Sequence, residues 1–412
     1  MRGKRTIEIF KASAENFFVN FINFTKRHKK VLFIYFLICA VLIPISWQQD
    51  VYDWYYFIGK FVVEGKNVYE PINVYAIAKR GDTGRYGYPP FFLPFFSSSY
   101  IVSNFFTLPF HIPLKSFLVF INVLIAMELE RITKNSQSAS LYLFNPLIIV
   151  TAAVQGFPDV LVIYFILKAF QSLERDSSAA YLGLSCLCKQ TAWPLSPFFL
   201  MLNLKKKRFL IFFATFLGGI LPFVVLNYQA VLRALVLDYS NRVGVSPLAI
   251  SSLFSFLKYI QLPLWVIPIL LMLEFTLTLL LLIFIRKKLE GDVQNKVKVG
   301  KYLVFYELMT FSFLYFLAPH FLSYLLFPII ILMATHSYFE YSYFFLTAAG
   351  YLFFIVDQGL RHNIFHYNVW VGPIYLGFLQ LELFNTIVQS VMAIILYSSF
   401  LYIFYKIWRG KD

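Results

Sequence analysis

The sequence predicts an all-α, polytopic integral membrane protein, and three observations carry that class. Of its 412 residues 59% are hydrophobic and only 14% are charged, where a soluble chain carries roughly a quarter charged residues. Apolar runs follow one another from Val31 almost to the C-terminus with short polar interruptions. A hydrocarbon core about 30 Å thick takes around 20 apolar residues per helix, so about eleven to thirteen passes fit. The basic residues behind the net charge of +15 sit in short loops between those runs: Lys26 to Lys30, Lys205 to Arg208, Arg286 to Lys288 and Lys406 to Lys411. The positive-inside rule accounts for them, so they mark the cytoplasmic face, the N-terminus is expected inside, and no nucleic-acid partner is implied.

Residues 1–30 mix Phe17, Phe18, Phe21, Ile22 and Phe24 with lysine and glutamate, which predicts a cytoplasmic amphipathic helix at the membrane surface rather than a cleaved signal. Residues 31–412 then form a single transmembrane domain. Its first run, Val31 to Trp47, carries the chain outward, and residues 48–90 make the longest polar segment, an extracytoplasmic loop. Trp54, Phe57, Ile58, Phe61 and Val62 recur at helical spacing, with Asp53, Lys60 and Glu64 on the opposite face, which predicts a helix lying in the interface. The glycine-rich stretch AKRGDTGRYGYPP closes the loop, and Pro89-Pro90 breaks regular structure where the next apolar run begins. Phe91 to Phe110 is expected to return to the cytoplasm and Leu118 to Leu129 to cross again.

Between Leu141 and Arg208 two readings of sidedness stand. The runs Leu141 to Val154 and Val160 to Phe170 flank QGFPD, and GLSCLCKQTAWPLSPFFL lies between Arg175 and the Lys205 cluster. If both basic ends lie inside, the piece between them dips in and returns as two short halves with Lys189 near the turn. If it makes one pass, QGFPD falls on the cytoplasmic side. Later passes are expected at Phe209 to Asn227, Leu264 to Ile285 and Tyr302 to Leu317, with Pro319-His320 at the outer surface. Cys39, Cys186 and Cys188 all stand in apolar surroundings, so neither a disulfide framework nor a zinc site is supported.

Several residues carry chemistry. Asp50 and Asp53 could act as general base or hold a metal ion at a membrane-facing cavity; the competing assignment makes Asp50 a helix cap and Asp53 part of a solvated face. Arg85, Tyr86 and Tyr88 of RYGYPP combine a phosphate clamp with rings that stack on sugar, or else form an aromatic belt with a snorkelling arginine. Asp159 and Lys189 are ionisable residues beside apolar helices, which makes them functional candidates by default, with a purely structural pair as the alternative. His320 in LAPHFLSYLLFP could bind phosphate or relay a proton. Two histidines at i, i+4 in GLRHNIFHYN lack an acidic third ligand.

No P-loop, dinucleotide-binding glycine pattern, serine elbow or HExxH is present, so a substrate must arrive through the membrane or from outside. In chain order there follow an outer-loop aspartate before Gly65 and Tyr69, YPP at the second apolar run, QGFPD, CKQTAWP before a basic loop, and APHFLSYLLFP. This series resembles the GT-C class of polytopic glycosyltransferases, particularly the mannosyltransferase-like glycosyltransferase family 87. Two elements depart from the family pattern: its GQ stands here as Gln155-Gly156 in reverse, and its SPQ-like segment as APH.

The resemblance implies inverting transfer of a hexose, mannose foremost, from a polyprenyl-phosphate donor to a lipid or glycan acceptor on the extracytoplasmic side. It implies Asp53 as general base with Asp50 as runner-up, and Arg85, Lys189 and His320 as phosphate contacts that stabilise the leaving group. Tyr86 and Tyr88 would contact the sugar or the loop itself, and QGFPD would lie outside with Asp159 near the site, which selects the two-halves reading around Lys189. Many members of the class use a divalent cation and others do not. A transporter or flippase of lipid-linked sugars would use similar residues but predicts inverted repeats and interrupted helices, neither of which is legible. The other alternative is a non-catalytic membrane scaffold.

Overall fold

The computed structural model describes residues 2–46, 54–70, 86–202, 205–237, 266–290 and 294–317, together with Asp292, Thr347, Ser398, Leu401, Tyr402, Tyr405 and Arg409. It is all-helical, with no strand among the described residues. Among the described residues two helices are long and apolar enough to cross a membrane, His111–Thr133 and Lys206–Leu235, or up to four spans if each of two bent helix pairs counts as one. Apolar side chains stand exposed along these and neighbouring helices, Phe33 at 68% and Val225 at 75% among them. Such surface is stable only against another apolar medium, and a bilayer supplies it.

Helix α1 (Arg2–Arg27) meets α2 (Lys29–Ile45) with an 87° bend between residues 15–27 and α2. If α2 stands across a bilayer, α1 lies along its surface, the geometry that its amphipathic sequence predicts. Helix α3 (Tyr56–Val63) follows, then a 3-10 turn at Pro90–Phe92 leads into α4 (Leu93–Phe106). The long helix α5 (His111–Thr133) fixes the frame. Its C-terminal Glu130 binds His28 at 2.7 Å and Arg27 at 2.9 Å, whereas Lys115 in its second turn reaches Ser46 just past the end of α2. Helices α2 and α5 therefore run antiparallel between a basic end and a far end.

This frame corrects the expected path of residues 91–129. Helix α4 has 14 residues, about 21 Å at 1.5 Å per residue, too short for a full crossing. Its rings are engaged by α3: Tyr55 stacks on Phe96 at 4.6 Å and Tyr56 meets Tyr100 and Phe110. Residues 91–110 thus stay with the first loop's helix, and it is α5 that returns to the basic end. The buried side of α3 also differs from the predicted stripe. Tyr55, Ile58 and Gly59 are buried while Phe57 and Phe61 are half-buried, because Gly59, lacking a side chain, lets α4 approach its backbone.

From the basic end the chain climbs as α6 (Ser136–Leu143), α7 (Pro146–Ile149) and a π-helical turn, Val150–Gln155. The climb bends by 56° around Asn145-Pro146, where proline cannot continue the ladder. It reaches the far end at Ala153, whose carbonyl accepts from Ser46 Oγ at 3.1 Å. Helix α8 (Asp159–Gln171) descends until Lys168 pairs with Glu128 at 3.2 Å.

Helix α9 (Ser177–Cys188) rises again to Lys189, and a 3-10 turn, Gln190–Leu195, with α10 (Ser196–Leu202) returns. Both basic flanks of this hairpin meet: Arg208 donates to the Leu173 carbonyl at 2.6 Å, and Asp176 pairs with Lys207 and Arg208. The two-halves geometry with Lys189 at the turn is the one found, and QGFPD lies at the far end. Helix α11 (Lys206–Leu232) then climbs, α12 (Val266–Leu289) ends in Arg286, Lys287 and Lys288, and α13 (Lys296–Leu317) starts where Lys296 caps the Gln171 carbonyl at 2.8 Å.

Candidate functional site

The far end gathers three segments that are distant in sequence. Gly156 adopts φ +69°, a conformation open to glycine at little cost, and so closes the π-helical turn; Phe157 N–H donates back to the Thr151 carbonyl at 3.0 Å. The chain then re-enters helix at once, which puts Asp159 in the first turn of α8. A carboxylate there is favoured by the exposed N–H groups and dipole of the helix. At the top of the neighbouring hairpin Lys189 leaves α9 in extended conformation. Its Nζ donates to Asp159 Oδ1 at 2.7 Å, with both side chains almost wholly buried.

The YGYPP segment forms the third wall. The Lys189 ammonium lies 5.1 Å from the centre of the Tyr88 ring, within cation–π range. Gln190 Nε2 donates to the Gly87 carbonyl at 2.8 Å, tying the turn after Lys189 to the same strip of backbone. Tyr86 is buried, donating from N–H to the Val68 carbonyl at 3.0 Å and from Oη to the Pro89 carbonyl at 3.2 Å. Tyr69 Oη donates to the Tyr88 carbonyl at 2.9 Å. Burial pushes the Tyr69 phenol well above its ordinary range, so it remains a donor at any physiological pH. Tyr86 and Tyr88 are therefore fixed by backbone contacts before any ligand arrives.

Of the residues expected at the site, Tyr86, Tyr88, Asp159 and Lys189 meet in one place. Asp50, Asp53, Arg85 and His320 lie outside the described residues, as do both histidines of GLRHNIFHYN. Among the described residues no group of three or more His, Cys, Asp or Glu side chains is placed to hold a metal ion. Cys39, Cys186 and Cys188 are buried free thiols.

Sequence reasoning missed Lys115 and Glu307, two of the three further buried polar residues here, and read Gln155 only as part of the reversed GQ element. Lys115 is fully buried, its Nζ donating to Ser46 O at 3.0 Å and Ser46 Oγ at 2.9 Å. Gln155 is buried with neither end of its amide hydrogen-bonded among the described residues, and Glu307 of α13 is buried with neither carboxylate oxygen bonded among them. For two of them the signal was present: a lone lysine in HIPLKSFLVF and a lone glutamate in YLVFYELMTF, each inside an apolar run, are the pattern that marks costly intramembrane charges. No protein-family model matches this chain, and no curated protein or solved structure matches it.

Proposed function

We propose that this chain is an integral-membrane glycosyltransferase of the GT-C type, moving a hexose, mannose foremost, from a polyprenyl-phosphate carrier to a hydroxyl of a lipid or glycan acceptor on the extracytoplasmic side. One observation supports the reading above all others. YGYPP, QGFPD and CKQ, more than 100 residues apart end to end in the sequence, were singled out as a series and come together through Lys189–Asp159, Lys189–Tyr88 and Gln190–Gly87.

In the proposed step Asp53 takes the acceptor's proton while the acceptor oxygen forms its bond to the anomeric carbon. The bond from that carbon to the phosphate oxygen breaks, and the electron pair leaves with the polyprenyl phosphate. Inversion follows from attack opposite the leaving group. The buried aromatic walls exclude water and strengthen every charge interaction near the departing phosphate. The assay supplies purified protein with radiolabelled polyprenyl-phosphate sugars and acceptor lipids, comparing wild type with Asp53→Asn and Asp50→Asn. Transfer should fall by at least about 100-fold in Asp53→Asn, the scale of lost general-base catalysis; full retention sinks the assignment.

The flippase reading gains one observation: helices interrupted at Asn145-Pro146 and at the Lys189 hairpin, a feature of transporter binding sites. Reconstituted vesicles decide between the two readings. Movement of lipid-linked sugar across the bilayer without a new glycosidic bond favours transport.

A further inference from the structure

Charge at the far end is unevenly matched, and the imbalance points to a specific cation. Lys189 is neutralised by Asp159 at 2.7 Å, so this pair offers an incoming anion little net charge. Among the described residues Lys115 has no such partner. It is 0% exposed, and its contacts among the described residues are two neutral oxygens of one residue, Ser46 O and Ser46 Oγ. Two of its three N–H groups are thereby used, and the third has no acceptor among the described residues. The C-terminus of α2 lends Lys115 a partial negative charge through its carbonyls, but Lys115 also stands near the N-terminus of its own helix, whose partial positive charge opposes that help. The two half-charges offset one another, so among the described residues neither a carboxylate nor a net helix dipole compensates the buried amine of Lys115.

We infer that Lys115 is an anion-binding residue whose ligand is the phosphate of a polyprenyl monophosphate or of its sugar-bearing ester. The identity of the lipid rests on the transferase reading; the unmatched charge does not. In the ligand-free state the ammonium is covered, so a phosphate oxygen reaches it at the third N–H or in place of one Ser46 contact. The hydroxyl is the replaceable one. Ser46 Oγ already donates to the Ala153 carbonyl at 3.1 Å and keeps that bond when it stops accepting from Lys115, so no polar group is stranded by the exchange. Gln155, two residues beyond Ala153, contributes a buried amide with neither end hydrogen-bonded among the described residues, a second polar group at this end of the bundle.

The competing role for Lys115 is a helix cap on α2. Full-length purified protein in detergent is titrated with farnesyl phosphate, with farnesol as the uncharged control and inorganic phosphate as the control for a free ion. Lys115→Met should weaken farnesyl phosphate by about tenfold to a hundredfold, the worth of a charge-assisted hydrogen bond, and leave farnesol unchanged. Lys115→Arg should retain most of the phosphate preference. Ser46→Ala, which keeps the cation and removes the competing hydroxyl, should bind farnesyl phosphate as tightly as wild type or tighter.

A Lys115→Met protein that melts earlier but keeps the wild-type ratio of farnesyl phosphate to farnesol affinity overturns the inference in favour of the cap. Should that variant not fold, loss of phosphate binding in Ser46→Ala overturns it instead. Binding of inorganic phosphate as tightly as farnesyl phosphate removes the lipid and leaves a free-anion site, which overturns the proposed ligand. Lys115-dependent binding without turnover of any lipid-linked sugar leaves this site standing and fells the transferase reading. Turnover with Lys115-indifferent binding does the reverse.

Discussion

Breaking the Lys189–Asp159 pair is the sharpest test of how the far end is built. Its side chains are 4% and 5% exposed and 2.7 Å apart, so removing either partner leaves the other charge buried, which costs about 3–5 kcal/mol. Asp159→Asn belongs near the lower limit, because the amide oxygen still accepts from Lys189 and the Tyr88 ring at 5.1 Å still faces the ammonium. Lys189→Met strands a carboxylate and deletes the hydrogen bond, and the N-terminus of α8 recovers at most about 2 kcal/mol of that. The double variant Asp159→Asn/Lys189→Met has no stranded charge and should be more stable than the sum of the singles by at least about 2 kcal/mol. Equilibrium denaturant titration of the detergent-solubilised variants, read by intrinsic fluorescence, gives all three free energies. Single losses below about 1 kcal/mol, or strict additivity, would mean that water reaches the pair and that it is not the buried tie described here.

Three further perturbations probe the surrounding frame. Gly59→Ala puts a methyl 2.5 Å from the Phe96 carbonyl oxygen, so the α3–α4 contact must open at a cost of about 1–3 kcal/mol, measurable as a lower thermal midpoint. Gly156→Ala forces an L-residue to φ +69°, costing about 1–2 kcal/mol, and lipid binding at the far end should weaken with it. At the basic end the Lys207 ammonium, with help from Arg208, holds the Asp176 carboxyl below the usual aspartate range. Its contribution is therefore present above the ordinary aspartate value near 4 and is lost as pH falls through the lowered folded value; the thermal midpoints of wild type and Asp176→Asn should differ at neutral pH and converge in acid.

Hydrophobic runs and basic loops made the all-helical class legible, and α1, α2, α12 and α13 lie where those signals put them. The path of residues 91–129 was not legible because length alone does not say where a helix lies. An apolar run with YPP at its head reads as a crossing, and only the Tyr55–Phe96 and Tyr56–Tyr100 contacts keep α4 beside α3. The buried stripe of α3 was misread for a related reason: periodicity ranks residues by hydrophobicity, while packing placed the small Gly59 against the neighbouring backbone. At the site, Asp159 and Lys189 were legible as costly charges, but their mutual pairing was one of two open readings. The contact between them shows the pairing, while the separate question of the chain's path around Lys189 was answered by the meeting of Lys207 and Arg208 with Asp176, which brings both flanks of the α9–α10 hairpin to one end.

The distribution of matched and unmatched charge separates standing in a bilayer from acting there. At the basic end each buried or half-buried acid has cations around it: Glu130 holds Arg27 and His28, Glu128 holds Arg131 and Lys168, and Asp176 holds Lys207 and Arg208. These sets satisfy the rule that buried ions be paired, and their work is to fasten helix ends. Farther along the helices, among the described residues, the rule is kept once, at Asp159–Lys189, and broken at Lys115 and at Glu307. Glu307 stands 11 residues beyond Lys296, about 16 Å along α13. Replacing Glu307 by an apolar residue of similar size would remove its desolvation penalty, so stability gives no reason for keeping that carboxylate. Exceptions of this kind belong where a fold gives up local consistency for chemistry. The unmatched ammonium, fully buried beside the end of α2 and seven residues before Asp53 counted from Ser46, directs the search for substrate to the far end of the bundle.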